Sequence, residues 1–286
     1  MSFPSDGLSE VERERLTAAI QRNPSYRLAN RDPDFLQEDD LRPVRLQLEL
    51  LKPERAIAAH NVTSTIVVYG SARILPPALA AERLRAVEAQ AETNATDPAI
   101  ARALLEARKR VDYSRYYEES RRFARIVSEN CQVAGRCDFV VVTGGGPGIM
   151  EAANRGAFDI NARSIGLNIT LPHEQAPNPF ITPELCFQFR YFALRKMHFL
   201  MRARALVAFP GGFGTMDELF ETLTLVQTGK VQRMPIVMVG AAFWRRAVNL
   251  DFLVDEGMIS PADAELVSIV ETAEEAVAVI QGFYLS

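Results

Sequence analysis

Short runs of β-branched and aromatic residues alternate along this chain with longer stretches in which apolar positions recur every three or four residues. The runs 65–69 (Thr-Ile-Val-Val-Tyr), 139–143, 164–169, 205–209, 235–239 and 266–269 predict strands, since each is short and almost continuously apolar. Between them, helical spacing is carried by Tyr117, Phe123, Ile126 and Val127, then by Leu219, Phe220, Leu223 and Val226, and later by the stretches 243–256 and 273–283. Strand and helix in alternation predict an α/β domain over 61–286, a doubly wound parallel sheet with helices on both faces. Two stretches break the rhythm. Residues 1–60 are polar and predict a helical extension, with helices over 9–21 (Ser9 as cap) and 39–51, the second bracketed by Pro43 and Pro53, packing on the domain or on a neighbouring subunit. Residues 76–110 predict an insertion of two helical segments broken near 94–98. The aromatic run 187–192 is strand-like and passes into a helix.

Three of the strands lead into glycine-bearing turns with candidate chemistry. The run 205–209 is followed by Pro210-Gly211-Gly212-Phe213-Gly214-Thr215-Met216-Asp217-Glu218, a strand, glycine turn and helix that suits an anion, because glycine lets backbone N–H groups approach it and the helix dipole favours negative charge. Gly214 stands where a Walker loop carries lysine, so a monophosphate fits better than a triphosphate. The spacing of Thr215 and Glu218 also fits a capping box, and spacing alone leaves capping and chemistry about equal. A second junction, Gly144-Gly145-Gly146-Pro147-Gly148-Ile149-Met150-Glu151, follows the strand 139–143, and Gly70, Ser71 and Arg73 follow the first strand as candidate nucleotide contacts. Ile149 occupies the last glycine position of a dinucleotide fingerprint, and the strand 164–169 ends without an acidic residue, which argues against NAD or FAD.

Composition narrows the class further. The 286 residues carry a net charge of −4, which argues against a nucleic-acid platform, and only four of the 32 basic residues are lysine. Arg195 and Lys196 stand side by side on an otherwise apolar helix; burying both unpartnered would be costly, so both are expected to face a cavity or an anion. Cys131, Cys137 and Cys186 match no zinc spacing, and no metal is expected. No apolar run approaches a membrane span and the amino end lacks a signal pattern, so the expectation is a cytoplasmic protein without membrane or nucleic-acid partners. The proline-rich loop 171–183, with Pro172 and His173, is a candidate lid.

The glycine turn at 144–150, the Arg195-Lys196 pair and the 210–218 motif together resemble the LONELY GUY (LOG) family, often labelled "possible lysine decarboxylase", whose signature is Pro-Gly-Gly-x-Gly-Thr-x-x-Glu. The resemblance covers roughly residues 65–283 and leaves out the extension and the insertion, as in the longer branch of the family. It implies a Rossmann-like fold, a homodimer or higher homo-oligomer, no cofactor, and hydrolysis of a nucleoside 5′-monophosphate, AMP or a cytokinin riboside monophosphate, to free base and ribose 5-phosphate. Arg195 and Glu218 then take the catalytic positions. The glycine turns, with Ile149, Met150, Glu151, Lys196, Pro210, Phe213 and Thr215, take the substrate and phosphate positions. Met216-Asp217 replaces the Leu-Glu of the short members, which leaves base preference open. The decarboxylase label is set aside, because pyridoxal chemistry needs a Schiff-base lysine and Lys196 adjoins an arginine that a phosphate site explains better. The alternative is a regulatory protein of the same fold that holds a nucleotide or cofactor without cleaving it; retention of Arg195 and Glu218 favours the enzyme.

Overall fold

The computed structural model describes residues 7–93, 97–132, 137–170 and 176–285. It divides into two compact units, Met1–Leu51 and Lys52–Ser286. In the first, helix α1 (Glu10–Arg22) is opened by a capping box in which Ser9 Oγ accepts from the Glu12 N–H and the Glu12 carboxylate accepts from the Ser9 N–H. Helix α2 (Pro33–Gln37) is capped by Asp32. Helix α1 buries no residue, and Val11, Leu16 and Ile20 are exposed.

Helix α3 (Arg42–Ala59) runs through Pro53 instead of stopping before it. An interior proline removes one backbone hydrogen bond and costs about 3 kcal/mol. Burial of Pro53 itself and of Ile57 one turn later offsets that cost. The insertion forms α4 (Pro77–Thr93) and α5 (Pro98–Tyr113), and residues 94–96 of its expected break lie outside the described residues.

The second unit is built on seven strands: β1 (Thr65–Tyr69), β2 (Val140–Thr143), β3 (Ser164–Ile169), β4 (Cys186–Phe189), β5 (Ala203–Ala208), β6 (Ile236–Val239) and β7 (Val267–Val270). Their order is β4-β3-β2-β1-β5-β6-β7 and every pairing is parallel. The chain starts at the central strand, builds outward to β4, then crosses back to the other side of β1. The remaining helices are α6 (Arg115–Cys131), α7 (Ile149–Phe158), α8 (Phe192–Met201), α9 (Phe213–Gln227), α10 (Ala241–Ala247), α11 (Leu250–Asp255), α12 (Pro261–Ala264) and α13 (Ala273–Leu285).

Alternation along each strand sends neighbouring side chains to opposite faces, and both faces are covered. Ile66, Val68, Val141, Val207 and Val237 pack with Phe123 of α6, Ile149 and Ala153 of α7 and Ile280 of α13. Val67, Tyr69, Val142, Leu206 and Met238 pack with Ile57, Phe199 of α8, Leu219 of α9 and Trp244 of α10. The fully buried Trp244 donates from Nε1 to the Val239 and Ala208 carbonyls, fastening α10 across β6 and β5.

Two further predicted elements change. The helix expected over 243–256 is two helices, because Asn249 turns out of the helix and caps α11, accepting from the Phe252 N–H at 3.0 Å. The aromatic run 187–192 splits: Phe187 and Phe189 belong to β4, while Phe192 opens α8. Residues 171–175 of the candidate lid, including Pro172 and His173, lie outside the described residues. Among the described residues no helix is long and apolar enough to cross a membrane, and no group of three or more His, Cys, Asp or Glu could hold a metal ion.

Candidate functional site

A cavity of about 300 Å³ opens at the carboxyl ends of β1 and β5, beside the point where the strand order reverses. Tyr69 at the end of β1 and residues 70–73 after it form one side, Gly144 and Met150 another, Phe192 and Arg195 of α8 a third, and Gly212, Gly214, Thr215, Asp217 and Glu218 close it. Four segments far apart in sequence, among them both candidate catalytic residues, therefore meet at one hollow.

Helix α9 supplies an anion cradle. Gly212 is its N-cap and offers no side chain, and among the described residues the N–H groups of Phe213, Gly214 and Thr215 have no hydrogen-bond partner. Unpaired donors at the positive end of a helix favour an anion. A Cβ on Gly211 would collide with the Thr215 side chain, so glycine is required there for the turn to close. The capping-box reading fails on the same geometry. With Gly212 as cap, Thr215 is the third helical residue and Glu218 the sixth, a full turn too deep to reach the cap N–H.

Glu218 is 8% exposed, and burial pushes its carboxyl up to about 7, against the pull of Arg195 and Lys196 in the other direction. The Tyr69 hydroxyl donates to Glu218 Oε2 at 3.4 Å, and burial followed by the nearby Glu218 charge holds the Tyr69 phenol well above its ordinary value. Arg195 is fixed from two sides. Its Nε donates to the Leu167 carbonyl at 2.7 Å, and its guanidinium lies 5.2 Å from the centroid of the Phe199 ring. Burial lowers the Arg195 pKa and Glu218 opposes that. Gly144 makes room for this arginine: a Cβ there would stand 2.5 Å from Arg195 Nη2.

Lys196 does not join its neighbour in the cavity. Its Nζ lies 2.8 Å from Asp217 and 3.0 Å from Glu221, clamping α8 to α9, and its side chain borders a separate groove of about 570 Å³. Adjacent residues on a helix point about 100° apart, so only one of the pair faces the cavity. An ammonium held between two carboxylates outside the cavity does not fit a Schiff-base role, so the residues present do not fit pyridoxal phosphate. Lys196 acts on the site through charge. Lys196→Met is therefore expected to raise the Glu218 pKa further, shifting any pH limb that Glu218 governs to higher pH and lowering activity about fivefold at pH 6 with little change at pH 9; a pH-rate profile of the variant checks this, and an unmoved limb sinks it.

The second glycine turn is largely fastened within the fold. Gly145 (φ +72°) donates to Thr143 Oγ1, and the carbonyls of Gly145 and Gly146 accept from the backbone and side chain of Asn178. Gly148 (φ +73°) backs onto the Ser71 carbonyl, which also takes the Ile149 N–H at 3.2 Å, while the Ile149 side chain is buried in the core. Glu151 accepts from the Tyr117 hydroxyl at 2.7 Å. Of this turn only Gly144 and Met150 line the cavity. Pro210 and Gly211 also stay outside it; the Pro210 carbonyl accepts from the Ser71 N–H, tying the two loops together, and the Phe213 side chain is 96% exposed. Ser71 Oγ accepts from the Arg73 N–H, and the exposed Arg73 side chain makes no ion pair among the described residues. Tyr69, Ala72, Phe192 and Asp217 line the cavity and were not expected there. A polar ring tip closing an aliphatic strand was the available signal for Tyr69; Phe192 was hidden by the strand-like run before it.

A family model described as "Possible lysine decarboxylase" matches residues 150–280. The chain is 29% identical over 143 residues to the cytokinin riboside 5′-monophosphate phosphoribohydrolase LOG3 of Arabidopsis thaliana, covering 48% of this chain and 64% of that protein. It is 34% identical over 85 residues to LOG7 of the same plant, covering 29% and 39%, and 26% identical over 145 residues to the probable phosphoribohydrolase LOGL3 of Oryza sativa subsp. japonica, covering 48% and 64%. The chain thus spans just under two thirds of the length of these relatives at most. A solved structure of a molybdenum cofactor binding protein from Rippkaea orientalis aligns over 59% of this chain and 88% of that one at 15% identity, with a TM-score of 0.43, too slight a likeness to argue from. The family-model match takes in α8 and α9, and over about half its length the chain is similar to phosphoribohydrolases of the LOG family.

Proposed function

We propose that this chain hydrolyses the N-glycosidic bond of a nucleoside 5′-monophosphate, releasing the free base and ribose 5-phosphate. The observation that carries the reading is Glu218, a buried carboxyl held near neutrality in the same small cavity as the unpartnered N–H groups that open α9. The printed names of the relatives, which are cytokinin riboside 5′-monophosphate phosphoribohydrolases, support it. The sheet reads as doubly wound and Rossmann-like, with the ligand at the reversal of strand order.

In this reading the phosphate sits on the N–H groups of Phe213, Gly214 and Thr215, with Arg73 at the rim. The ribose then lies over the first turns of α9 with C1′ toward Glu218. Leaving of the base creates an oxocarbenium-like centre at C1′, which the Glu218 carboxylate stabilises in a site where water screens little. Water forms the new C1′–O bond and gives its proton to Glu218. The electron pair of the broken C1′–N bond leaves with the base, which takes up a proton from solvent, and Glu218 returns the water's proton to solvent. Arg195 orients the substrate and keeps Glu218 more acidic than burial alone would. A homodimer or higher homo-oligomer, soluble and without nucleic-acid or membrane partners, completes the proposal.

The carboxylate is the working form, so activity is expected to rise with pH through about 7 as Glu218 loses its proton. A profile of kcat/KM for AMP between pH 5 and 9 tests this; a profile flat across 6 to 8 removes Glu218 as the base. The direct test is incubation with purine and pyrimidine nucleoside 5′-monophosphates, AMP and a prenylated AMP included, with assay of free base and ribose 5-phosphate. Release from at least one is expected, and tight binding of AMP without release would make the protein a nucleotide sensor.

A further inference from the structure

The 300 Å³ cavity is at the small end for a ligand site. Filled by a ribose phosphate anchored on α9, it leaves the base to occupy the mouth. Two aromatic rings line the hollow. Tyr69 is buried, its ring edge packed on Phe199 at 5.0 Å and its hydroxyl committed to Glu218, so it has no free face. Phe192 is 52% exposed.

The position of Phe192 follows from the helix. Residues 192, 195 and 199 fall on one face of α8 at spacings of three and four. Along that face exposure rises from Phe199, which is fully buried beneath the Arg195 guanidinium, through Arg195 to Phe192 at the first helical position. A half-exposed phenyl ring is therefore held at the mouth, one turn outward from the arginine that faces the reacting centre. Solvation of such a ring is unfavourable, and a flat aromatic ligand covers it. Among the polar groups around the cavity, Ser71 Oγ is already engaged by the Arg73 N–H. Beside these polar groups a ring face is available to the base.

We infer that Phe192 is the residue that takes the base, stacking on its face, and that the preference for a larger base over a smaller one comes from this contact. The inference rests on the proposed nucleoside monophosphate site. Stacking depends on overlap area, so a purine gains more than a pyrimidine, and a sugar phosphate without a base gains nothing. Met150 lines the same hollow and adapts its thioether to either.

Equilibrium binding of AMP, UMP and ribose 5-phosphate to the wild type, Phe192→Ala and Phe192→Leu tests it. Phe192→Ala is expected to weaken AMP about tenfold and UMP less, with ribose 5-phosphate unchanged. Phe192→Leu keeps bulk and helix packing but removes the π face, and it is expected to lose most of the same AMP affinity. Equal loss for AMP and ribose 5-phosphate, full rescue by leucine, or unchanged AMP binding would each overturn the inference. If the wild type binds AMP but releases no base, the hydrolytic reading falls while the stacking result still decides Phe192. If the wild type binds none of the three, both fall.

Discussion

Glu218→Gln is expected to reduce turnover of the preferred nucleoside monophosphate by about 10³-fold while leaving the affinity for ribose 5-phosphate within about threefold of the wild type. The amide keeps the size and the helix but cannot carry the negative charge that answers an oxocarbenium centre or take a proton from water. In the proposed site the phosphate rests on backbone N–H groups more than a turn away, which the substitution does not touch. A second readout is independent of activity. Glu218 ionises near 4.5 when free and near 7 in the fold. Between those values the folded state holds a proton that the unfolded state has released, so wild-type stability falls as pH rises from about 4.5 to 7 and stays lower above. Glutamine carries no such penalty. The variant should therefore be more stable than the wild type at pH 8 by about 2 kcal/mol, and barely so at pH 5. Urea melts at the two pH values measure this. Wild-type turnover would remove Glu218 from the chemistry; a stability gain independent of pH would mean that burial does not keep the carboxyl protonated.

Much of the sheet was legible in the sequence because its strands are buried on both faces. A run such as Ile66-Val67-Val68 has few alternatives to a central parallel strand, and every residue of β1 is buried. What local pattern could not supply was context. The passage of α3 through Pro53 depends on what its last turns pack against, and the break before Asn249 depends on a cap that competes with a continuous helix. The same division runs through the site. The glycine motifs identified both turns, yet which N–H groups remain available is decided by partners distant in sequence: Ser71 takes the Ile149 N–H, while nothing described takes those of Phe213 to Thr215. The capping box was plausible by spacing and is excluded by where the helix starts. Adjacency misled at Lys196, since one step along a helix turns a side chain out of the cavity and onto Asp217 and Glu221.

Arg195→Ala is expected to lower kcat/KM by about 10²- to 10³-fold, through both affinity and rate, and to move the Glu218 limb of the pH profile to higher pH. Arg195 is the foremost charge opposing the rise that burial causes at Glu218, so its loss leaves more of the carboxyl protonated at neutrality. The rate should therefore fall most below pH 7 and recover in part above it. Arg195→Lys should not restore activity. The guanidinium donates from Nε to the Leu167 carbonyl while its Nη2 lies against Gly144, and a single ammonium on a flexible stem cannot hold both positions at once. The global fold should survive, because the arginine's burial is already costly and its removal relieves that cost while freeing one carbonyl. Comparing pH-rate profiles of wild type, Arg195→Ala and Arg195→Lys separates the two roles. A uniform loss with no displacement of the limb would make Arg195 a substrate contact alone; unchanged kinetics would take it out of the site, and with it the account of why Gly144 carries no side chain.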